Sequence, residues 1–232
     1  MMAPQTQSLS AVQDEVVGCQ ACPRLVAHRE EVAARKTKRF ADEPYWGRPV
    51  PSFGDPNARL LIVGLAPAAH GGNRTGRMFT GDRSGDWLFE AMHRYGYANQ
   101  PRSSGRGDGL ELLDAYITAI VRCAPPANKP GRTEIVTCRS YLIRELAALR
   151  SLRVVIALGR IAFEGILAAL IETGLQIPRP KPKFSHGAAF ALSEDLHLLA
   201  SYHPSQQNTF TGRITRPMLH SVFREANRLI EA

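Results

Sequence analysis

The chain has 232 residues, 44% of them hydrophobic, which is enough to bury one sizeable core in a single domain. It lacks the run of about 18 apolar residues that a membrane-spanning helix needs, and its start, MMAPQTQSLSAVQDEVVG, lacks the pattern of an export signal. Lysine and arginine outnumber acidic residues 29 to 21, and the resulting formal charge of +8 suits a polyanionic partner as well as an ordinary charged surface. We therefore expect a soluble, unexported globular protein that does not contact membranes.

Short apolar runs alternate with longer amphipathic stretches along the chain. The runs predict buried strands at 59–64, 115–121, 154–159 and 196–202. The stretches predict helices at 86–95, 133–149, 160–173 and about 216–230, with Thr133 and Thr215 as N-caps of the second and the last. This βαβ order is typical of a parallel sheet covered by helices, in which functional residues gather beyond the carboxyl ends of the strands.

Three segments do not fit the alternation. They are residues 1–58, 99–109 and 177–186, the last of which contains the run PRPKPK. That run has too much proline for a helix and too few apolar residues for a core strand. We expect surface loops at 99–109 and 177–186.

The chain has four cysteines. Cys19 and Cys22 form a C-x2-C pair, whereas Cys123 follows the second predicted strand and Cys138 lies in the next predicted helix. In a cytosolic protein, disulfides are not expected. Four thiolates suit an iron–sulfur cluster or zinc, and the wide split of the second pair favours the cluster. Zinc and unrelated buried thiols remain alternatives.

A glycine-rich loop, GLAPAAHGGNRTGRMFTGD, follows the first predicted strand at residues 64–82. It lacks both the Walker lysine and a dinucleotide fingerprint, so no nucleotide cofactor is expected. Phe79 and Asp82 lie close together near its end, where a ring could stack on an extruded base and a carboxylate could assist chemistry. Alternatively, Phe79 fills the core and Asp82 caps the next helix.

Two further polar residues follow predicted strands. His203 precedes a proline at the end of the fourth strand, which predicts that its imidazole lies at the same sheet edge as the glycine-rich loop. Asn128 lies in the proline-rich segment RCAPPANKP and offers a donor and an acceptor side by side. Either residue could instead be an ordinary structural or surface residue.

Three motifs, GLAPAAHGGNRTGRMFTGD, VRCAPPANKP and SYHPSQQNTFTGRIT, together with the four cysteines, resemble the family 5 (type b) uracil-DNA glycosylases, an iron–sulfur branch of the uracil-DNA glycosylase superfamily. The resemblance extends from about Cys19 to Thr215. It implies a three-layer α/β/α sandwich with a central four-stranded parallel sheet, in a single domain over residues 1–232 with a cluster-binding segment at about 15–58. It also implies a structural 4Fe-4S cluster held by Cys19, Cys22, Cys123 and Cys138.

The resemblance also assigns roles to individual residues. Phe79 would stack on the base, Asn128 would bind its edge and His203 would stabilise the negative charge that develops on it. Asp82 would assist the water or the sugar cation. We further expect contacts to the base from Gly64 and Ala66, and contacts to DNA from Arg74, Ser205, Gln206 and Arg213. From its position and charge, the loop 205–213 is expected to enter the minor groove, with Arg213 and Arg216 near phosphates.

Two positions depart from patterns in related families. Leu65 and Ala66 stand where type 4 relatives carry a glutamate, so the usual water-activating group is absent, as it is in family 5. Met78 stands where a proline is expected beside the stacking aromatic ring. The first departure fits family 5, and it leaves the role of Asp82 less firmly assigned than the roles of Phe79 and His203.

The expected activity is base-excision repair, in which the N-glycosidic bond of uracil in double-stranded DNA is hydrolysed after base flipping. The resemblance adds hypoxanthine, ethenocytosine and hydroxymethyluracil, which some members of the family accept. Because base flipping requires one subunit, we expect a monomer, located in the bacterial or archaeal cytosol or nucleoid. Two rival functions are a non-catalytic iron–sulfur protein that binds damaged DNA and a zinc hydrolase that acts on free nucleotides. Turnover of uracil in DNA distinguishes the glycosylase from the binding protein. A brown colour, which indicates iron and sulfur, distinguishes it from a colourless zinc hydrolase.

Overall fold

A computed structural model describes residues 7–232 of the chain. In chain order its elements are α1 (Leu9–Val17), α2 (Pro23–Arg35), β1 (Phe53–Gly54), β2 (Leu60–Gly64), α3 (Gly72–Thr75), α4 (Arg83–Arg94), β3 (Ala115–Ala119), α5 (Arg132–Ala148), β4 (Val154–Leu158), α6 (Arg160–Glu172), β5 (Ala189–Ala191), β6 (His197–Ser201), α7 (Gln206–Phe210) and α8 (Arg216–Glu231). Short 3-10 turns occupy Lys38–Phe40 and Pro126–Asn128.

The sheet confirms the predicted parallel core and extends it. Its strand order is β1-β3-β2-β4-β6-β5, and the four inner strands run parallel. They match the four predicted apolar runs, with ends up to two residues shorter. The outer strands β1 and β5 are antiparallel edges of two and three residues. Such short strands leave no alternating pattern that the sequence could reveal.

Side chains alternate between the two faces of the sheet and build two cores. Leu60 and Ile62 point to one face, where α4 and α8 pack, and Leu61 and Val63 point to the other, where α5 and α6 pack. Because both faces are covered, all four inner strands are apolar along nearly their whole length. The fold is therefore the predicted three-layer α/β/α sandwich.

The caps of the helices were predicted with mixed success. Thr215 caps α8 as predicted, its hydroxyl accepting from Met218 N at 3.4 Å. The prediction for Thr133 is wrong, because α5 begins one residue earlier and the Glu134 carboxylate accepts from Gly131 N at 2.6 Å. Apolar periodicity locates the body of a helix but not its first polar turn.

The N-terminal segment, which the alternation left without a structure, contains two helices. In α1, Gln13 Nε2 donates to Tyr116 Oη in β3 at 2.5 Å, and in α2, Arg24 forms an ion pair with Glu134 in α5 at 2.7 Å. Residues 1–6 lie outside the described residues. They belong to the single domain predicted over 1–232 and to the start of the chain, which was predicted to lack an export signal.

The stretches 99–109 and 177–186 contain no helix or strand, as predicted. Across residues 7–232, every helix is too short or too polar to cross a lipid bilayer.

Candidate active site and cysteine cavity

A cavity of about 810 Å³ lies beyond the carboxyl ends of the parallel strands. Gly64 ends β2, Ala119 ends β3 and Leu158 ends β4, and all three line it. We call it the sheet-edge cavity. Nearly all of the predicted base- and DNA-binding residues line it, namely Gly64, Ala66, Phe79, Asp82, Asn128, His203, Ser205, Gln206 and Arg213. The expectation that these separate motifs meet at one sheet edge is therefore confirmed.

Phe79 lines the sheet-edge cavity in an unusual backbone conformation. Its φ of +54° lies in the left-handed region, which a bulky residue rarely adopts. Two glycines permit this: a Cβ on Gly64 would come within 2.7 Å of Phe79 Cζ, and a Cβ on Gly85 would overlap the Phe79 carbonyl oxygen. The ring packs partly on the core and partly lines the cavity, so it is not simply a core residue.

His203 lines the cavity next to Phe79. The two rings are stacked, with centroids 5.8 Å apart and planes inclined by 27°. The backbone of His203 is fixed because Asn208 Nδ2 donates to its carbonyl oxygen at 2.9 Å. Burial lowers the pKa of the imidazole, and the negative charge of Asp82 only partly offsets this. A neutral ring at neutral pH keeps one N–H donor and one acceptor.

Asp82 caps α4 and lines the cavity at the same time. Its Oδ1 accepts hydrogen bonds from Ser84 N at 2.9 Å, from Gly85 N at 3.3 Å and from the Ser84 hydroxyl. Its Oδ2 lies so close to Gly71 that a Cβ there would overlap it. The two interpretations from the sequence, helix cap and site carboxylate, are therefore compatible, because each uses a different oxygen.

Asn128 stands at the rim of the cavity and is exposed. It and Ala127 have φ values of +55° and +52°, so two consecutive non-glycine residues are left-handed. Asn128 N donates to Pro125 O at 3.1 Å, while its carboxamide makes no hydrogen bond within residues 7–232. Strained backbone of this kind occurs where a side chain must be presented in one direction.

The structure places Arg74 away from the sheet-edge cavity. Its guanidinium forms an ion pair with Glu43, donates to His70 O at 2.8 Å and lies 3.9 Å from the centroid of the Phe40 ring. With its side chain 10% exposed, it has little surface to offer to DNA. Its predicted DNA contact remains a prediction that this placement does not favour.

Several residues that surround the site were not predicted from the sequence. Phe210 at the end of α7 is 66% exposed, and the Arg83 guanidinium lies 4.8 Å from its ring centroid. Tyr202 lines the cavity between the His186 ring, at 5.0 Å, and the Arg213 guanidinium, at 4.7 Å. A single aromatic residue within the polar run QQNTFTGR is the sequence feature that could have indicated that Phe210 is exposed beside the site.

All four cysteines line a second cavity, of about 150 Å³. We call it the cysteine cavity. The four are free thiols: Cys19 and Cys22 lie between α1 and α2, Cys123 follows β3 and Cys138 lies in α5. Burial raises the pKa of Cys123, and that of Cys138 to about 12. Within residues 7–232, no three histidine, cysteine or carboxylate side chains converge tightly enough to hold one metal ion.

Comparison with known proteins identifies the family. The sequence model of the Uracil DNA glycosylase superfamily matches residues 51–228. The chain is 51% identical to a type-5 uracil-DNA glycosylase of Mycobacterium leprae over 99% of both chains. It is 53% identical to one of Thermus thermophilus (92% of this chain, 94% of the relative) and 46% identical to one of Pyrobaculum aerophilum (92% and 89%). The chain belongs to the uracil-DNA glycosylase superfamily and, within it, groups with the type-5 proteins.

Proposed function

We propose that the protein removes uracil from DNA by hydrolysing the N-glycosidic bond between the base and deoxyribose. The observation that carries the proposal is the stacked pair of Phe79 and His203, with Asp82 near by, in a cavity at the carboxyl edge of the sheet. The names of the type-5 relatives support the same activity. The rival binding-only function would leave this arrangement of a ring, an imidazole and a carboxylate without a use.

The chemistry divides between the two sides of the bond. Cleavage builds negative charge on the departing base and positive charge on the sugar. His203, neutral because burial lowers its pKa, donates its N–H to the base oxygen, and the free Oδ2 of Asp82 faces the sugar cation or the attacking water. In a preorganised site each such interaction contributes about 3 kcal/mol. Leu65 and Ala66 supply no other carboxylate.

Base recognition uses Phe79 and Asn128. A base turned out of the duplex stacks on the Phe79 ring and meets the carboxamide of Asn128 at the rim, with Gly64 and Ala66 as the floor of the cavity. The volume of about 810 Å³ is larger than a pyrimidine needs. The proposed range of substrates also includes hypoxanthine, ethenocytosine and hydroxymethyluracil.

The segment 205–213 is proposed to contact duplex DNA in the minor groove. Ser205 caps α7 by accepting from Asn208 N at 3.3 Å, which fixes the exposed Gln206 and Phe210 beside the sheet-edge cavity. Arg213 is exposed, whereas Arg216 already pairs with Glu90 at 2.7 Å. Arg213 is thus the better candidate for a phosphate contact, and Arg213→Glu should reduce the salt dependence of binding. A monomer acting at the nucleoid remains our expectation.

A 4Fe-4S cluster held by the four cysteines is the proposed cofactor. Each thiolate of such a cluster binds a different iron, so its ligands spread more widely than those of a single ion. The observation that supports this proposal is that all four cysteines line one cavity. The cluster would cross-link the start of α2 to β3 and α5 and take no part in hydrolysis. Zinc would leave the protein colourless, and iron analysis separates the two.

The direct test is an end-labelled duplex that contains one uracil opposite guanine, treated with alkali after incubation to cleave abasic sites. We expect cleavage by the wild type and its loss in the His203→Ala, Asp82→Ala double variant. His93→Ala and Asp195→Ala, on exposed residues away from the cavity, are the matched controls. Tight binding without cleavage, by protein that carries its cluster and on all four candidate bases, would support the binding-only function instead.

A further inference from the structure

Arg29 in α2 is a buried cation whose side chain borders the cysteine cavity. Its side chain is 1% exposed, and its Nη1 donates to Cys123 Sγ at 3.2 Å and to Cys19 O at 3.3 Å. Its Nη2 donates to Gln20 Oε1 at 3.2 Å, and its Nε has no hydrogen-bond partner among the described residues. The guanidinium therefore contacts two of the four cysteine residues directly.

The charge of Arg29 is poorly compensated by protein groups. Its carboxylate contact within residues 7–232 is Glu30, at 3.3 Å, whose side chain is 56% exposed. Arg122, the other buried arginine at this cavity, pairs instead with the fully buried Glu145 at 2.5 Å. A charge removed from water is destabilising unless an anion lies close to it. Arg29 thus indicates an anionic occupant of the cysteine cavity.

We propose that Arg29 is the counter-ion and positioning residue of the iron–sulfur cluster, acting through its hydrogen bond to the Cys123 thiolate. This inference rests on the proposed cofactor. A 4Fe-4S core with four thiolates carries net negative charge, which increases when the cluster is reduced. A cation and an N–H···S bond stabilise the reduced form more than the oxidised form, and they keep the ligand in place. The guanidinium therefore raises the reduction potential and slows loss of the cluster.

The same residue connects the cysteine cavity to the glycine-rich loop. The carbonyl oxygen of Arg29 accepts from Asn73 Nδ2 at 3.1 Å, and Asn73 is fully buried in α3. Asn73 lies in the loop that ends with Phe79 and Asp82. A displaced Arg29 would therefore disturb the cluster first and the active-site loop second.

The test uses the holoprotein as purified and three variants. Arg29→Gln removes the charge, Arg29→Lys keeps it with a different donor geometry, and Arg35→Gln is the control on the same helix at a 79% exposed position. The midpoint potential of the cluster is measured by titration with dithionite, and cluster loss is followed by bleaching of the visible absorbance with a chelator. We expect a lower potential and about tenfold faster bleaching in Arg29→Gln, intermediate values in Arg29→Lys and no change in Arg35→Gln.

Equal potentials and equal bleaching rates in fully loaded Arg29→Gln and wild type would overturn the inference. If Arg29→Gln cannot be isolated with its cluster, Arg29→Lys tests the hydrogen-bond part of the inference alone: because lysine keeps the charge, wild-type values in that variant would overturn the role of the Nη1–Sγ hydrogen bond. Wild-type protein that contains no iron would refute the cofactor itself. The failure of the cofactor and the failure of the inference are therefore distinguishable, and uracil cleavage is measured separately from both.

Discussion

Gly64, the last residue of β2, lies against the far end of the Phe79 ring, so that a Cβ at position 64 would come within 2.7 Å of Phe79 Cζ. The ring owes its place in the sheet-edge cavity to this missing side chain. Gly64→Ala should displace the ring and lower uracil excision about tenfold or more, because small misplacements of a reacting group are costly. Steady-state excision kinetics check this, with Gly107→Ala, whose Cβ would meet nothing within 4 Å, as control. Wild-type kinetics in Gly64→Ala would contradict it.

The two oxygens of Asp82 allow helix capping and chemistry to be separated. Asparagine caps helices about as well as aspartate, so Asp82→Asn should retain the thermal stability of the wild type while losing excision about 100-fold. Asp82→Ala should lose excision and, in addition, about 1 kcal/mol of unfolding free energy. Thermal unfolding and excision rates of both variants test these two predictions. Full activity in Asp82→Asn would assign Asp82 to capping alone.

Protonation of His203 should couple stability to pH. Burial lowers its pKa below the ordinary value of 6.5, so the unfolded chain takes up a proton at a pH where the native imidazole does not. The contribution of His203 to stability should therefore be complete above pH 6.5, and it should be lost as the pH decreases from 6.5 toward the pKa of the folded protein. Comparing Tm at about pH 8 and about pH 5.5, we expect a smaller fall in His203→Gln than in the wild type. Equal falls would contradict the lowered pKa.

Phe210 should matter for duplex DNA and little for folding. Its ring is 66% exposed beside the sheet-edge cavity, so Phe210→Ala should leave Tm unchanged. If the ring stacks on the duplex bases that become exposed when the target nucleotide is extruded, loss of the ring should weaken duplex binding about tenfold. Binding and excision on duplex and single-stranded uracil DNA check this, with Val136→Ala, 54% exposed on α5, as the control. An equal loss on both substrates would argue against insertion into the duplex.

The inner sheet could be predicted from the sequence because burial on both faces makes each parallel strand an uninterrupted apolar run. The meeting of Phe79, Asp82 and His203 followed from the rule that parallel strands end at one edge. The helices α1 and α2 did not emerge from the alternation. Leu9, Val12 and Val16 do have helical spacing, but no strand follows them to complete a βαβ unit.

Arg74 illustrates what local sequence cannot supply. An arginine in a glycine-rich loop beside a base-binding motif favours a DNA contact. Its partner Glu43 is distant in sequence, and only the fold brings the two side chains together. Side-chain direction in a loop depends on such tertiary pairings, which leave no periodic pattern. The Arg29 contact with Cys123, across an even longer separation, was hidden for the same reason.

The two short antiparallel edges have a consequence for the behaviour of the protein at high concentration. A parallel sheet that ended at β3 or β6 would present a full row of unpaired amide and carbonyl groups to any neighbouring strand. β1 pairs with two residues of β3 and β5 pairs with three residues of β6, and edge strands of this length are themselves too short to recruit another strand. The protein thus resists edge-to-edge aggregation and leaves the carboxyl end of its sheet free to meet DNA.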